Sequence, residues 1–339
     1  MDKFALFVFN IFINSFLVFF TTALLIEGLI CLFRIRQGRC SAILRMIPFF
    51  KLVLDLFLYD FTRWAYIFGI DPLLCEEGTR NISVGLGFSS FFNVKSCIEM
   101  TVPGDKTFTL ADILSAKIPS FALNAFVCLL CLTSLVCVYK QVKKIFRLRV
   151  SFPGEVLSIK NPALALYLQK HRIQVILTKE LLRSPCIIGI RSPTIYISDA
   201  YVLSLEEREA IIAHEIEHFR YKDTLVRWIL QCIRAIFFWI PTKWLQKKIE
   251  EGQEIGSDRG CLKQGIDPIY LATALHSVAK HSFCVAKQPL ASYFTRCALY
   301  QRVHLLMHPI ADRKFRLGFS ALVMGLAFIM IFLGRFWIF

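Results

Sequence analysis

His214 and His218 stand four positions apart, and Glu215 follows the first of them in the segment His214-Glu215-Ile216-Glu217-His218. On a helix, side chains at i and i+4 share one face, so both imidazoles can reach a single ion from the same side. Hydrolysis at zinc needs neutral imidazoles on one side of the ion, an open position for water, and a base beside that water. Glu215 is next in line to the first histidine, where its carboxylate can act on the metal-bound water as general base and then pass the proton to a leaving amine. Chance also produces this five-residue pattern, so the remainder of a site must be sought elsewhere in the chain.

A third ligand is the first requirement. Downstream, Glu254-Ile255-Gly256-Ser257-Asp258 falls on an expected helix, and Glu254 can complete a two-histidine, one-glutamate site. Asp258, four residues on, lies on the same face and can accept a hydrogen bond from a ligand histidine. Glu250 and Glu251 are rivals for the ligand position, and a solvated helix face would account for all of these acids. Asp223, shortly after His218, is placed either to orient a ligand or to cap the next helix. His304 and His308 have the i, i+4 spacing but no glutamate after the first histidine, and read as a packing or surface pair. His276 and His281 lack ligand spacing, and His171 is isolated.

The elements that must hold these residues carry local signals. Ser204 followed by Glu207 is a capping box, opening a helix expected to run through His218-Phe219-Arg220. Ahead of it, the region 150–200 contains the strand-like runs GEVLSI, RIQVILT and TIYIS between Pro, Gly and charged residues, which predicts a small sheet. After Asp223, LVRWILQCIRAIFFWI reads as a helix ending before Pro241. Arg227, Gln231 and Arg234 make it a poor membrane span, so it is expected to be buried or to lie at a membrane surface. A polar helical segment then leads through Glu250 to Leu262.

The chain as a whole is 56% apolar, 14% aromatic and only 19% charged over 339 residues, which points to a membrane protein. Runs at about 4–33, 118–139 and 317–339 are each long enough for the roughly 20 residues of a spanning helix. The first is too long for a secretory signal and lacks a small-residue cleavage site. The stretch 46–70 carries Lys51, Asp55, Asp60 and Arg63 and is marginal on hydropathy. Topology favours it: Arg34, Arg36, Arg39 and Arg45 follow the first span, and Lys140, Lys143, Lys144, Arg147 and Arg149 follow the run 118–139. Both clusters can be cytoplasmic only if 46–70 crosses. The loop 71–117, with four basic residues against six acidic ones, is then external. Four spans, an external N-terminus and a cytoplasmic 140–316 are expected. The net charge of +15 is partly these flanking clusters; no aromatic-interleaved basic patch suggests nucleic acid. Most of the twelve cysteines fall in spans or cytoplasm and are expected as thiols. Cys75 and Cys97 share the external loop and are the one candidate disulfide, near a glycosylation triplet at Asn81.

Three stretches resemble the BlaR/MecR-type membrane metalloproteases. The segment from Ser184 to Ile197 looks like that family's "SPFxxGxxxPxIxLP" element, and LSLEEREAIIAHEIEHFRYKDTLVRWI looks like its "LsxxELxxILxHELxHxxRxD" helix. EIGSD, from Glu254 to Asp258, is similar to its "EIxCD" element. By motif the resemblance covers roughly 150–310, and by architecture the whole chain. It implies a gluzincin-type domain between the third and fourth spans, one zinc ion, Glu254 rather than Glu250 or Glu251 as third ligand, and cleavage of a cytoplasmic protein, in sensor members a repressor. Ser257 departs from the usual cysteine. The sequence ends at Phe339 directly after the last span, so no external penicillin-binding domain is expected and β-lactam sensing has no support.

The expected fold is therefore an α-helical membrane protein with an inserted α+β zinc metalloprotease domain: membrane region 1–139, cytoplasmic protease 140–316, fourth helix 317–339, in a bacterial inner membrane. The expected activity is endoproteolysis of an intracellular, regulatory protein, with His214, His218 and Glu254 on zinc and Glu215 as base. Partners are a protein substrate and membrane lipid, not nucleic acid. Two competing readings are a housekeeping protease of the HtpX or CAAX type and a catalytically silent receptor or scaffold. A closed zinc site with four protein ligands would favour the latter.

Overall fold

The computed structural model describes residues 3–35, 38–58, 100–102, 106–108, 120–147, 152–180, 182, 184–189, 193–285, 299–308 and 325. Two helices open the chain, α1 (Lys3–Leu32) and α2 (Arg39–Leu58), and a third long helix, α3 (Ser120–Arg147), follows. Between them lies a short antiparallel pair, β1 (Met100–Val102) and β2 (Lys106–Phe108).

The four expected spans are described only in part. Among the described residues one stretch, Asn124–Lys143 of α3, is long and apolar enough to cross a membrane, and Val18–Leu32 of α1 is a shorter apolar stretch. The expected second span, 46–70, begins seven residues early, at Arg39. Ser41 explains the start: its hydroxyl accepts from the Gly38 amide (3.1 Å) and donates to the Gly38 carbonyl (2.9 Å), closing the entry turn. Helix α2 carries Arg39, Arg45, Lys51 and Asp55 along its length. Residues 59–70, the Cys75 and Cys97 pair, Asn81, and 317–339 apart from Gly325 lie outside the described residues.

The 150–200 region forms the expected sheet, with additions. Strands β3 (Gly154–Val156), β4 (Gln174–Thr178), β5 (Cys186–Ile188) and β6 (Thr194–Ser198) pair in the order β3-β4-β6-β5, with β4 and β6 parallel and the two outer pairs antiparallel. Helix α4 (Pro162–His171) inserts after β3. Asn161 caps it by accepting from the Ala163 and Leu164 amides, and Pro162 occupies the first helical position, where no N–H is needed.

Helix α5 (Leu205–Arg220) starts where the capping box requires: the Ser204 hydroxyl accepts from the Glu207 amide, and the Glu207 carboxylate accepts from the Ser204 amide. Every residue from Ala210 to His218 is buried, so this helix runs through the interior. Ile211, Ile212 and Ile216 pack in one core with Ile195 and Ile197 of β6 and with Leu271 of α8 (Pro268–Val285). The turn out of α5 is tight: Lys222 adopts a left-handed conformation (φ 56°, ψ 33°), which costs a non-glycine residue about 1–2 kcal/mol. It places Asp223 at the start of α6 (Asp223–Ile236), back beside His218.

Helix α7 (Lys243–Lys263) approaches two neighbours closely through glycines. A side chain at Gly260 would overlap the Glu217 carboxylate of α5, and one at Gly252 would stand 2.9 Å from the Gly38 carbonyl and 3.0 Å from Ala42 Cβ of α2. The stretch expected as buried or interfacial forms α6. Together with α7 it shares a second core with α1 and α2, in which Phe19, Ala23, Phe49 and Leu52 meet Leu230, Ile233, Phe237 and Ile249.

Candidate metal centre

The α5 helix presents both imidazoles inward, with His214 and His218 5% and 6% exposed, and their Nε2 atoms lie 3.1 Å apart. Helix α7 brings Glu254 to the same point. Its Oε2 is 3.3 Å from His214 Nε2 and its Oε1 is 3.5 Å from His218 Nε2. One ligand atom from each of the three residues lies within 4.8 Å of the others. Ligand bonds of about 2.0–2.1 Å in a tetrahedral zinc site imply ligand-to-ligand separations of about 3.3 Å. The 3.1, 3.3 and 3.5 Å separations lie near that spacing, the two to Glu254 through different carboxylate oxygens, so the group could hold such an ion. Among the described residues this is the group of histidine, cysteine and acidic side chains that could hold a metal.

A carboxylate stands behind each imidazole, hydrogen-bonded to His218 and within ion-pair distance of His214. Asp223 Oδ2 lies 2.8 Å from His218 Nδ1, and Asp258 Oδ1 lies 3.0 Å from His214 Nδ1. At His218 this hydrogen bond fixes the tautomer that leaves Nε2 free for a metal and fixes the ring's orientation. Ser257, where the resemblance expects cysteine, sits 3.2 Å from His218 Nδ1. Glu250 is elsewhere, accepting from Gln246 Nε2 at 3.0 Å. His304 and His308 are exposed, their rings 5.0 Å apart; His276 is exposed, and His281 packs on Tyr201.

Three arginines join the site that the sequence reading did not assign to it. Arg302, on a helix over 299–307, grips Asp258 with two hydrogen bonds (Nε to Oδ2 2.7 Å, Nη2 to Oδ1 2.8 Å), and its Nη1 lies 3.1 Å from Glu254 Oε2. Arg227 of α6 donates to Glu254 Oε1 at 2.7 Å and to Gln253 Oε1 at 3.0 Å. Arg39 of α2 holds Asp223. Arg227 carried a signal, since an arginine in an otherwise apolar helix must find a partner. Arg39 read as one of a membrane-flanking cluster, and nothing local marks Arg302.

These charges set the titration of the site. Burial opposes charging His214, but Asp258, Cys261 and Glu254 outweigh it and raise its pKa well above the ordinary range. His218 is likewise raised, as Glu254 and Asp223 overcome burial. Burial would lift the Glu254 carboxyl, yet His218, Arg302 and His214 hold it well below its usual value. Glu215, 8% exposed, behaves oppositely: burial raises it and outweighs the lowering by both imidazoles. Two carboxyls in one site are thus driven apart, the ionised one facing the imidazoles and the other shifted toward the range in which a general base works.

Residues 97–306 match the sequence profile of the family described as BlaR1 peptidase M56. The chain is also similar to Regulatory protein BlaR1 of Bacillus licheniformis, 27% identical over 95 residues. That alignment takes in 27% of this chain and 16% of the length of that relative.

Proposed function

Because the chain belongs to the BlaR1 peptidase M56 family, we propose that it is an integral-membrane zinc endopeptidase that cuts an intracellular protein. The observation that carries this reading is the convergence of His214, His218 and Glu254, with the two Nδ1 atoms backed by Asp258 and Asp223. Zinc bound there would polarise a peptide carbonyl and make a water nucleophilic near neutral pH. Glu215 takes the proton of the attacking water and returns it to the leaving amine, the role its raised pKa suits. Asp223 and Asp258 keep the imidazoles turned to the ion, while Arg227 and Arg302 hold the Glu254 carboxylate. Three protein ligands would leave a fourth position for water, as hydrolysis at zinc requires.

The family and the apolar, largely uncovered stretch Asn124–Lys143 support a place in the membrane. The charge pattern of the loops favours a site on the cytoplasmic side, and the similarity to a Bacillus protein favours a bacterial cytoplasmic membrane. The similarity to a protein named as regulatory favours a selective intracellular target over general turnover. A proteome comparison of cells carrying the wild type and Glu215→Gln tests the reading. A protein cleaved with the wild type and intact with Glu215→Gln supports it and names the substrate; identical cleavage in both contradicts it.

A further inference from the structure

Arg39 lies at the N-terminus of α2, far in sequence from the residues that surround it in space. Its Nη1 stands 3.1 Å and 3.0 Å from the two Asp223 oxygens. Its Nη2 donates to Ser257 Oγ at 2.9 Å and to the Glu217 carbonyl at 3.3 Å, and its guanidinium carbon lies 3.6 Å over the Tyr221 ring. Two of these partners, Asp223 and Ser257, are themselves in contact with His218 Nδ1, at 2.8 Å and 3.2 Å. The third is in the last turn of the helix that carries both histidines. The guanidinium thus touches every element at the back of one imidazole: the end of α5, the start of α6 and the middle of α7.

The sequence provides a passage for this side chain. Gly256 of α7 faces it, and a methyl there would overlap the Arg39 Cγ. Gly252, one turn earlier on the same face, admits the Gly38 carbonyl and Ala42 of α2. Each glycine costs the helix about 1 kcal/mol relative to alanine, and both stand on the face that α2 approaches. Asp223 is 3% exposed, and a carboxylate so buried requires a cationic partner; Arg39 is the one that contacts both of its oxygens.

We propose that Arg39 is a positioning residue for the metal centre: through Asp223 and Ser257 it fixes the His218 ring, so that metal affinity depends on where α2 lies. The N-terminal helical hairpin is then part of the site's construction. A shift of α2 that withdraws the guanidinium releases Asp223 and loosens one ligand without touching the metal directly. This rests on the metal site proposed above.

The test is Zn2+ affinity of the purified full-length protein in detergent, measured by competition with a chromogenic chelator, together with the visible spectrum of the Co2+-loaded form. Arg39→Ala is expected to weaken Zn2+ binding about 10- to 100-fold and to alter the Co2+ spectrum. Arg39→Lys should recover part of the loss, because an ammonium can hold Asp223 but cannot also span Ser257 and the carbonyl in a fork. Combining Arg39→Ala with Asp223→Asn should lose less than the product of the two single losses, because only the route through Ser257 remains for Arg39 once Asp223 is changed. Gly256→Ala, which keeps every polar group but fills the passage, should reproduce the Arg39→Ala loss and serves if Arg39→Ala does not fold. The inference is overturned if Arg39→Ala, or Gly256→Ala in its place, binds Zn2+ as the wild type does. It is equally overturned if the losses from Arg39→Ala and Asp223→Asn multiply. A wild type that binds no Zn2+ would instead refute the metal site itself.

Discussion

Replacing Arg302 by methionine separates the electrostatic role of this residue from its packing, since methionine keeps an unbranched apolar stem of similar reach. In the native arrangement the guanidinium makes two hydrogen bonds of 2.7 Å and 2.8 Å to Asp258 and a 3.1 Å ion pair to Glu254, with the Asp258 side chain 4% exposed. Methionine leaves Asp258 with the His214 Nδ1 at 3.0 Å and no guanidinium. Breaking a buried pair by removing one partner costs about 3–5 kcal/mol. A domain of about 150–250 residues loses about 2–4 °C of melting temperature per kcal/mol, so the fall should be about 6–20 °C. The assay is thermal unfolding of the detergent-solubilised protein in EDTA, followed by tryptophan fluorescence. Adding Asp258→Asn to Arg302→Met removes both charges and should restore at least half of the loss. A melting temperature within about 2 °C of wild type for Arg302→Met, or a double variant less stable than the single one, would refute the reasoning.

Two further predictions follow from the same residues. In the metal-free protein both site histidines have folded pKa values raised above the unfolded value of about 6.5. Their stabilisation is therefore complete below that pH and is lost as pH rises through the raised values. Zinc requires the neutral rings, so its affinity should increase over the same interval. The difference in melting temperature between zinc-loaded and EDTA-treated protein should widen as pH rises from about 6.5; a constant or shrinking gap would contradict the pKa directions. Separately, Ser204→Ala removes the hydroxyl that accepts from the Glu207 amide at 3.2 Å and should destabilise the fold by about 0.5–2 kcal/mol in thermal unfolding, with zinc content unchanged.

What could be read from the sequence was whatever obeys a local rule. The histidine pair, its helix and its capping box are spaced by helical geometry alone, and the structure places α5 at Leu205–Arg220 as expected. Asp258 followed from the same i, i+4 logic relative to Glu254, whereas Glu254 itself was preferred to Glu250 and Glu251 through the family resemblance; Glu250 bonds Gln246. Helix α4 was missed although Asn161-Pro162 is a start signal, because strand-like runs on both sides dominated the region. Strand β5, three residues long, has too little pattern to be read. Arg39 and Arg302 were hidden for another reason. Arg39 meets Asp223 across 184 positions, and Arg302 meets Asp258 across 44, so their roles exist only once the chain has folded. The marginal hydropathy of 46–70 likewise concealed that α2 starts at Arg39, where a polar residue has work at the metal centre.

The most direct test of the site is the metal content of the purified full-length protein after dialysis against a mild chelator, measured by plasma emission spectrometry. The wild type and Glu215→Gln should each retain about one zinc ion per chain, since the role proposed for Glu215 is that of a base and not a ligand, whereas His214→Ala and Glu254→Ala should lose it. Zinc absent from the wild type, or retained at wild-type stoichiometry in both ligand variants, would contradict a centre built from His214, His218 and Glu254.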